Sequence, residues 1–337
     1  MIFRLKTTFL VLAILFGSIV AVEGVMRILG YKPDSGFPKL ISSIEPKSCM
    51  RPDSLVGFSL KPGEYTFVYH SGFEFTTNHL PNGFRVTNSN PDSICAIVNF
   101  YGGSLFYGLG LNDEDVFTAK LAETVPNILV NNYAIFGHGM VTPLKLLERA
   151  KSSGDLPDLA VITYAKYNLA RNVYSQPFAK SIRFHRKHFG PRTLKVPYAR
   201  ISNDSLVFGL TPIEYKEVPF ADYSSTMNRI QGVYDNYNHA SFEPELVDSI
   251  LITRYLQFAE ENRIKLVFAI VDNYSGGKVG YERLYKSGAE VIDISVDHDS
   301  PEFNLMPHDG HPNARAHSIY AARCFAYLSA LGYIRTD

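Results

Sequence analysis

The sequence predicts an α/β protein built on a parallel five-stranded sheet. Two observations carry this. From residue 93 onward, short continuous apolar runs alternate with segments whose apolar residues recur every three or four positions. The segments between the runs are long enough to cross over as helices, which makes the strands parallel and covers both faces of the sheet.

The elements follow in chain order. MIFRLK brings two positive charges, and TTFLVLAILFGSIVAV, from Thr7 to Val22, carries no charge at all. This reads as an uncleaved signal anchor over residues 1–29, with Arg4 and Lys6 on the cytoplasmic side and the remainder outside the cytoplasmic membrane. A cleaved secretion signal is the alternative and gives the same compartment. Glu23 and Arg27 stand four apart, in reach of each other at the interface.

Residues 30–92 read as a linker and a β extension. Residues 30–60 are rich in Pro, Ser and Gly and have the composition of a linker. YTFVYH and FEFTTN then flank Ser71-Gly72, the pattern of a hairpin with a two-residue turn. NGFRVT turns at Gly83 toward the main domain, which spans 93–337.

In that domain ICAIVNF, NILVNNYAIF, DLAVITY, KLVFAIV and EVIDISV are the five strands. Asn112 or Asp113 can cap the helix after the first, whose inner face is Val116, Phe117, Leu121 and Val125. Thr142-Pro143 opens another helix, a further one starts near Pro244, and the last starts near Pro312. An insertion occupies about 171–240, with Asn203-Asp204 at a hairpin turn.

Composition narrows the function classes. The 337 residues are 46% apolar, enough for a sizeable core, and 33 basic against 33 acidic residues argue against a nucleic-acid partner. Cys49, Cys95 and Cys324 have no metal-binding or redox spacing, so no metal or cofactor is expected from them. Cys95 in a strand-like run and Cys324 in a helix-like run are expected to be ordinary buried thiols.

In a parallel sheet of this kind, ligands gather at the carboxyl ends of the strands. Ser104 follows strand one, Gly137 ends strand two, Asn168 follows strand three, and His311 lies between strand five and the last helix. All four should reach one edge. Ser104, in FYGGSLFYG, is a nucleophile if a base is at hand and a turn residue if not; Gly102 and Gly103 leave room for a tight bend. In MPHDGHPNARAH, His311 with Asp309 two residues upstream is a base and its orienter. His308 is more suited to shaping the loop, and His317, inside the helix, to pointing away. Donors for an oxyanion are the Ser104 N–H, Gly137 in AIFGHG and the Asn168 amide, with Asn172 as an alternative.

FYGGSLFYG, NYAIFGHG, YAKYN and DGHPNARAH, in this order, resemble the four blocks of the SGNH (GDSL-type) hydrolase superfamily, over about two thirds of the chain. The resemblance implies a flavodoxin-like three-layer α/β/α sandwich and metal-free ester hydrolysis. It makes Ser104 the nucleophile, His311 the base, Asp309 its partner, and Gly137 and Asn168 oxyanion donors. The first block reads GGS in place of GDS. The third lacks the usual glycine before and aspartate after Asn168. The last separates aspartate and histidine by two positions where three are usual, which changes how the carboxylate meets the ring. The anchor, the PGEYTF hairpin and the NGFRVT turn resemble membrane-anchored extracytoplasmic members.

The expected activity is that of a serine esterase on an ester substrate, above all the O-acetyl groups of a carbohydrate or cell-envelope glycan. A carbohydrate O-acetyltransferase and a catalytically silent glycan-binding or assembly protein are the alternatives, the altered third block favouring the last. Between Arg171 and Arg200 stand eight Lys/Arg and no Asp or Glu. Arg183, Arg186 and Lys187 are therefore candidates for holding an anionic glycan or headgroup surface, and a solvated basic helix is the alternative.

Overall fold

The structure, a computed structural model, describes residues 2–34, 41–183, 193–272 and 281–334, with side chains from residue 7. The chain opens with helix α1 (Ile2–Ile28). Five short strands follow: β1 (Ile41–Glu45), β2 (Met50–Asp53), β3 (Gly57–Leu60), β4 (Gly63–Tyr69) and β5 (Glu74–His79). The central domain then runs β6 (Ala96–Tyr101), α2 (Ser104–Tyr107), α3 (Phe117–Thr124), β7 (Ile128–Asn132), α4 (Val141–Ser153), β8 (Leu159–Tyr164), α5 (Asn168–Asn172) and α6 (Gln176–Ile182). It continues through β9 (Lys195–Ser202), β10 (Ser205–Pro212), α7 (Ser225–Ala240), α8 (Pro244–Asn262), β11 (Lys265–Asp272), α9 (Glu282–Lys286) and β12 (Val291–Val296). It ends with β13 (Asn304–Leu305), β14 (Asp309–Pro312) and α10 (Ala314–Ala330).

The central sheet has the order β12-β11-β8-β6-β7, all parallel. Counting these strands in sequence, the order is 2-1-3-4-5, the flavodoxin-like winding expected from the sequence. The order reverses between β6 and β8, so the loops after these two strands flank the crevice where ligands bind in such sheets. All six residues of β8 and five of six in β6 are buried, as a strand covered on both faces requires.

The stretch read as a linker is in fact structured: β1, β2 and β3 lie within or at its edge, and Cys49, Val56, Phe58 and Leu60 are fully buried. β1, β4 and β5 form an antiparallel sheet that joins the central domain through bridges His79–Arg85 and Arg85–Asn132. The expected hairpin is present, but its loop has three residues instead of two. Tyr69 N–H donates to Phe73 O at 2.8 Å and Gly72 N–H to Tyr69 O at 3.0 Å, with Gly72 at φ +81°. This is a turn closed by a left-handed glycine, the common three-residue solution.

Two local expectations are corrected, the Asn112/Asp113 cap and the burial of Cys95. Asn112 and Asp113 do not cap a helix; their side chains accept from Thr76 N and Asn78 N and fasten β5 instead. The last helix is capped by Asn313, whose side chain accepts from Ala316 N. Cys95 sits just before β6 and is exposed; Cys49 and Cys324 are buried. The Asn203-Asp204 turn forms as expected, both residues having positive φ (49° and 57°).

Candidate active site

Ser104 is the first residue of α2, directly after β6, and is 6% exposed. As the first residue of a helix its N–H has no carbonyl four residues back to bond, so it points outward from the helix start. The glycines before it are required by packing. A Cβ on Gly102 would lie 1.9 Å from Thr163 Oγ1 on β8, and one on Gly103 would lie 3.0 Å from His138 O. The bend therefore presses the serine turn against both neighbouring loops.

His311 comes from β14, more than two hundred positions away. Its Nε2 lies 2.9 Å from Ser104 Oγ. Its Nδ1 lies 2.9 Å from Asp309 Oδ2, but off the direction a linear N–H bond would take. A separation of two positions puts the carboxylate beside the ring rather than squarely in front of it. Asp309 also accepts the His311 backbone N–H, at 3.3 Å.

A further residue meets this carboxylate. Tyr69, at the end of β4, donates its hydroxyl to Asp309 Oδ2 at 2.8 Å. Burial pushes the Asp309 carboxyl up, but the His311 charge with hydrogen bonds from His311 and Tyr69 outweighs it, holding the group below its ordinary value. Burial, with the adjacent Asp309 charge, raises the Tyr69 phenol, so it stays a donor.

The other histidines are elsewhere. His308 stacks on Phe73 (centroids 4.9 Å apart) and shares a 2.9 Å hydrogen bond with Ser71 Oγ, shaping the loop as expected. His317, in the first turn of α10, is buried and accepts from Phe117 N at 3.1 Å, away from Ser104.

Gly137 has φ +83° and lies in the loop after β7, which is stitched to the serine turn: Ile135 N–H donates to Gly102 O at 2.9 Å. Asn168 is buried at the start of α5 and donates to Thr163 O at 3.3 Å. An amide nitrogen has two hydrogens, so this bond does not use up the group. Asn172 holds the neighbouring loops together, accepting from Met140 N at 2.8 Å. Arg171 Nη1 donates to His138 O at 3.0 Å, and its guanidinium lies 3.9 Å over the Tyr167 ring.

Sequence reasoning missed the second support of the site, Arg85. This fully buried guanidinium pairs with Asp113 at 2.7 Å and donates to the carbonyls of Tyr107, Gly108 and Leu111. It thus holds the C-terminal end of α2, four residues beyond Ser104. His79 shares a 2.8 Å hydrogen bond with Tyr107 Oη, and burial lowers its pKa to about 4, so it is neutral there. The one sequence signal was the buried-side alternation of β4 and β5, which marks strands without showing what they face. Of the basic candidates, Arg183 pairs with Glu217 at 3.3 Å and stacks over Tyr215. Arg186 and Lys187 lie outside the described residues.

No protein-family model matches the sequence, and neither does any curated protein. Among solved structures, the chain is similar to a lipolytic protein of the G-D-S-L family from Desulfitobacterium hafniense, at 13% identity and TM-score 0.38, covering 68% of this chain and 98% of that one. It is similar to the psychrotrophic esterase EstA from a Pseudoalteromonas species, at 10% identity and TM-score 0.38, covering 71% and 99%. It is also similar to the acetylxylan esterase Axe2 from Geobacillus stearothermophilus, at 13% identity and TM-score 0.36, covering 74% and 100%.

Proposed function

We propose that the chain is a membrane-anchored, extracytoplasmic serine esterase of the SGNH type. The observation that carries this is the 2.9 Å approach of His311 Nε2 to Ser104 Oγ, with Asp309 behind the ring. A serine hydroxyl is a weak nucleophile until a base takes its proton. Here Ser104 Oγ adds to the ester carbonyl while its proton passes to Nε2. His311 then gives that proton to the departing alcohol, leaving an acyl-serine. Water, deprotonated by the same nitrogen, displaces the acyl group as the free acid and restores Ser104. Asp309 stays ionised, because its carboxyl is held below the ordinary range, and balances the imidazolium. Charge on the carbonyl oxygen is met by the Ser104 N–H, the Gly137 N–H and the Asn168 amide.

The ester we propose is an O-acetyl group on a carbohydrate. Polar groups lie against the serine turn: a Cβ built on Gly103 would meet Arg171 Nη1 at 2.7 Å and Tyr167 Oη at 3.6 Å. A guanidinium beside the serine turn suits a polyol better than a long acyl chain. The anchor reading rests on the apolar stretch Thr7–Ile28, 22 residues long, whose most apolar 18-residue window has mean hydropathy 2.4 and no buried residue. At about 1.5 Å per residue this is long enough to cross the hydrocarbon layer.

The test uses the full chain in detergent with p-nitrophenyl acetate and a fluorophosphonate probe. Turnover and labelling are expected in the parent chain. Ser104→Ala should abolish labelling and lower turnover by at least about 10³-fold, and His311→Asn by a similar factor. Undiminished turnover in Ser104→Ala would sink the mechanism. A panel of acetylated oligosaccharides and longer acyl esters then tests the substrate class, with the acetylated sugars expected to have the higher kcat/KM.

A further inference from the structure

Helix α1 does not hang from the domain on a loose tether. The Glu23 carboxylate accepts from Ser225 N (2.9 Å), Thr226 N (3.1 Å), Ser224 Oγ (2.7 Å) and Thr226 Oγ1 (2.9 Å), and so receives the start of α7. Arg27, paired with Glu23 at 2.7 Å, donates to Tyr223 O at 2.9 Å. Beyond the helix, Ser225 Oγ donates to Tyr31 O, Asn228 Nδ2 to Lys32 O, and Asp34 pairs with Lys180 at 2.6 Å.

These bonds fix a height. The segment 220–224 is level with Glu23 and Arg27, and Glu23 is about 7 Å along the axis from Ile28, the last residue of α1. It therefore sits beside the end of the apolar stretch. On this segment Phe220 and Tyr223 are 70% and 77% exposed. Phe220 also has φ +65°, an unfavourable conformation for a bulky residue. On α7, Ile230, Val233 and Tyr237 are 48%, 62% and 74% exposed, and their spacing of three and four puts them on one helix face. In water this strain and this exposure gain nothing. Aromatic rings at the level where a spanning helix leaves the hydrocarbon are what a membrane interface accommodates.

We propose that Phe220 and Tyr223, continued by the Ile230–Val233–Tyr237 stripe, rest in the headgroup layer of the bilayer that α1 crosses. The domain is then seated on the membrane in one orientation by α1 and α7 together. This rests on the anchor reading above and not on the ester chemistry.

The chain contains no tryptophan, so one introduced indole reports alone. Full chains carrying Tyr223→Trp or Tyr237→Trp are reconstituted into phosphatidylethanolamine/phosphatidylglycerol vesicles. The lipids carry a spin label near the headgroup or near the chain end. Emission of Tyr223→Trp is expected to fall about twofold with the shallow label and much less with the deep one, with Tyr237→Trp following more weakly. Both chains must resist extraction by alkaline carbonate and keep the intact N-terminal mass. Retained chains whose indoles are quenched by neither label, and are open to aqueous acrylamide, would overturn the seating while leaving the anchor in place. An N-terminus removed before residue 23, or a chain washed off by carbonate, would overturn both. Esterase turnover enters none of these readouts, so failure of the catalytic reading stays separate.

Discussion

Two additions to the central sheet invite comparison: the β extension at residues 41–87 and the insertion at 171–240. By sequence the insertion looked functional, because it is basic and follows strand three, while the extension looked like a linker and a hairpin. In the structure the extension, too, reaches the candidate site. The extension touches three of the loops that converge at Ser104. Tyr69 meets Asp309, Arg85 and His79 hold the far end of α2, and Phe58 packs edge-on against His138, 4.1 Å between ring centroids. Three of the insertion's described cations have partners: Lys180 pairs with Asp34, Arg183 with Glu217, and Arg200 lies over Phe242 at 3.9 Å. Cations close together in sequence can thus find separate partners once folded. An aromatic hairpin with no chemical motif can be half of a site.

The largest effect that would break this contrast is expected from Arg85→Met. It leaves Asp113 buried without its cation and strips a donor from three carbonyls. Losing one partner of a buried pair typically costs about 3–5 kcal/mol. Urea unfolding should show a loss of that order, and turnover should fall with it because α2 is no longer held. A stability change under about 1 kcal/mol would mean the extension is an ornament on the sheet.

Next in size is the pH response of the extension. Burial lowers His79 to about 4. The unfolded chain, with an ordinary imidazole near 6.5, then binds a proton more readily than the folded one. The contribution of neutral His79 is complete above about pH 6.5 and is lost as pH falls toward about 4, by at most about 3 kcal/mol. His298, also lowered to about 4 by burial, adds to the same window from the central domain. A His79→Gln chain should lose less stability between pH 6.5 and 4 than the parent, read by urea midpoints at each pH. Equal slopes would show that His79 is not buried neutral.

Much of the site was legible, and the reason is physical. Ser104, Gly137 and Asn168 lie in the segments that follow the carboxyl ends of β6, β7 and β8, and His311 lies in β14 beyond the end of β12; such strand ends can be found from apolar runs. Parallel winding then brings those ends to one edge without further information. Tyr69 was not legible: it lies 240 positions from Asp309, and alternation in YTFVY says that the ring is buried but not what its hydroxyl meets. Arg85 was hidden by its own type, because an arginine beside a turn reads as solvated until tertiary structure closes over it. The strands in 41–60 were masked by Pro, Ser and Gly, which weaken a strand pattern without preventing short paired segments.

Tyr69→Phe sharpens the comparison at a single atom. It removes one donor to Asp309 and keeps the ring. A hydrogen bond to a charged group is worth about 2 kcal/mol, so turnover is expected to fall about thirtyfold, with KM little changed. Asp309 is held below its ordinary value, so its stabilising contribution is present above about pH 4 and lost as pH falls through the folded value. Without the Tyr69 donor that folded value rises, and acid unfolding should begin at higher pH in Tyr69→Phe than in the parent. Unchanged turnover together with an unchanged acid midpoint would show that the hydroxyl only fills space.

The smallest effect is expected from the insertion. Arg183 is partly exposed and its pair with Glu217 is a surface pair, worth less than about 1 kcal/mol. Arg183→Gln should therefore shift the urea midpoint by no more than its error and leave turnover on a small neutral ester within about twofold. Adding Arg186→Gln and Lys187→Gln tests the reading of this run as a holder of anionic glycan. If the run acts there, kcat/KM on an acetylated uronate polymer should fall with rising salt in the parent and lose that dependence in the triple variant, while the neutral ester is unaffected. If both substrates respond alike, the charges of the insertion serve only its own folding, and recognition of the substrate has to be sought among the loops that the extension holds.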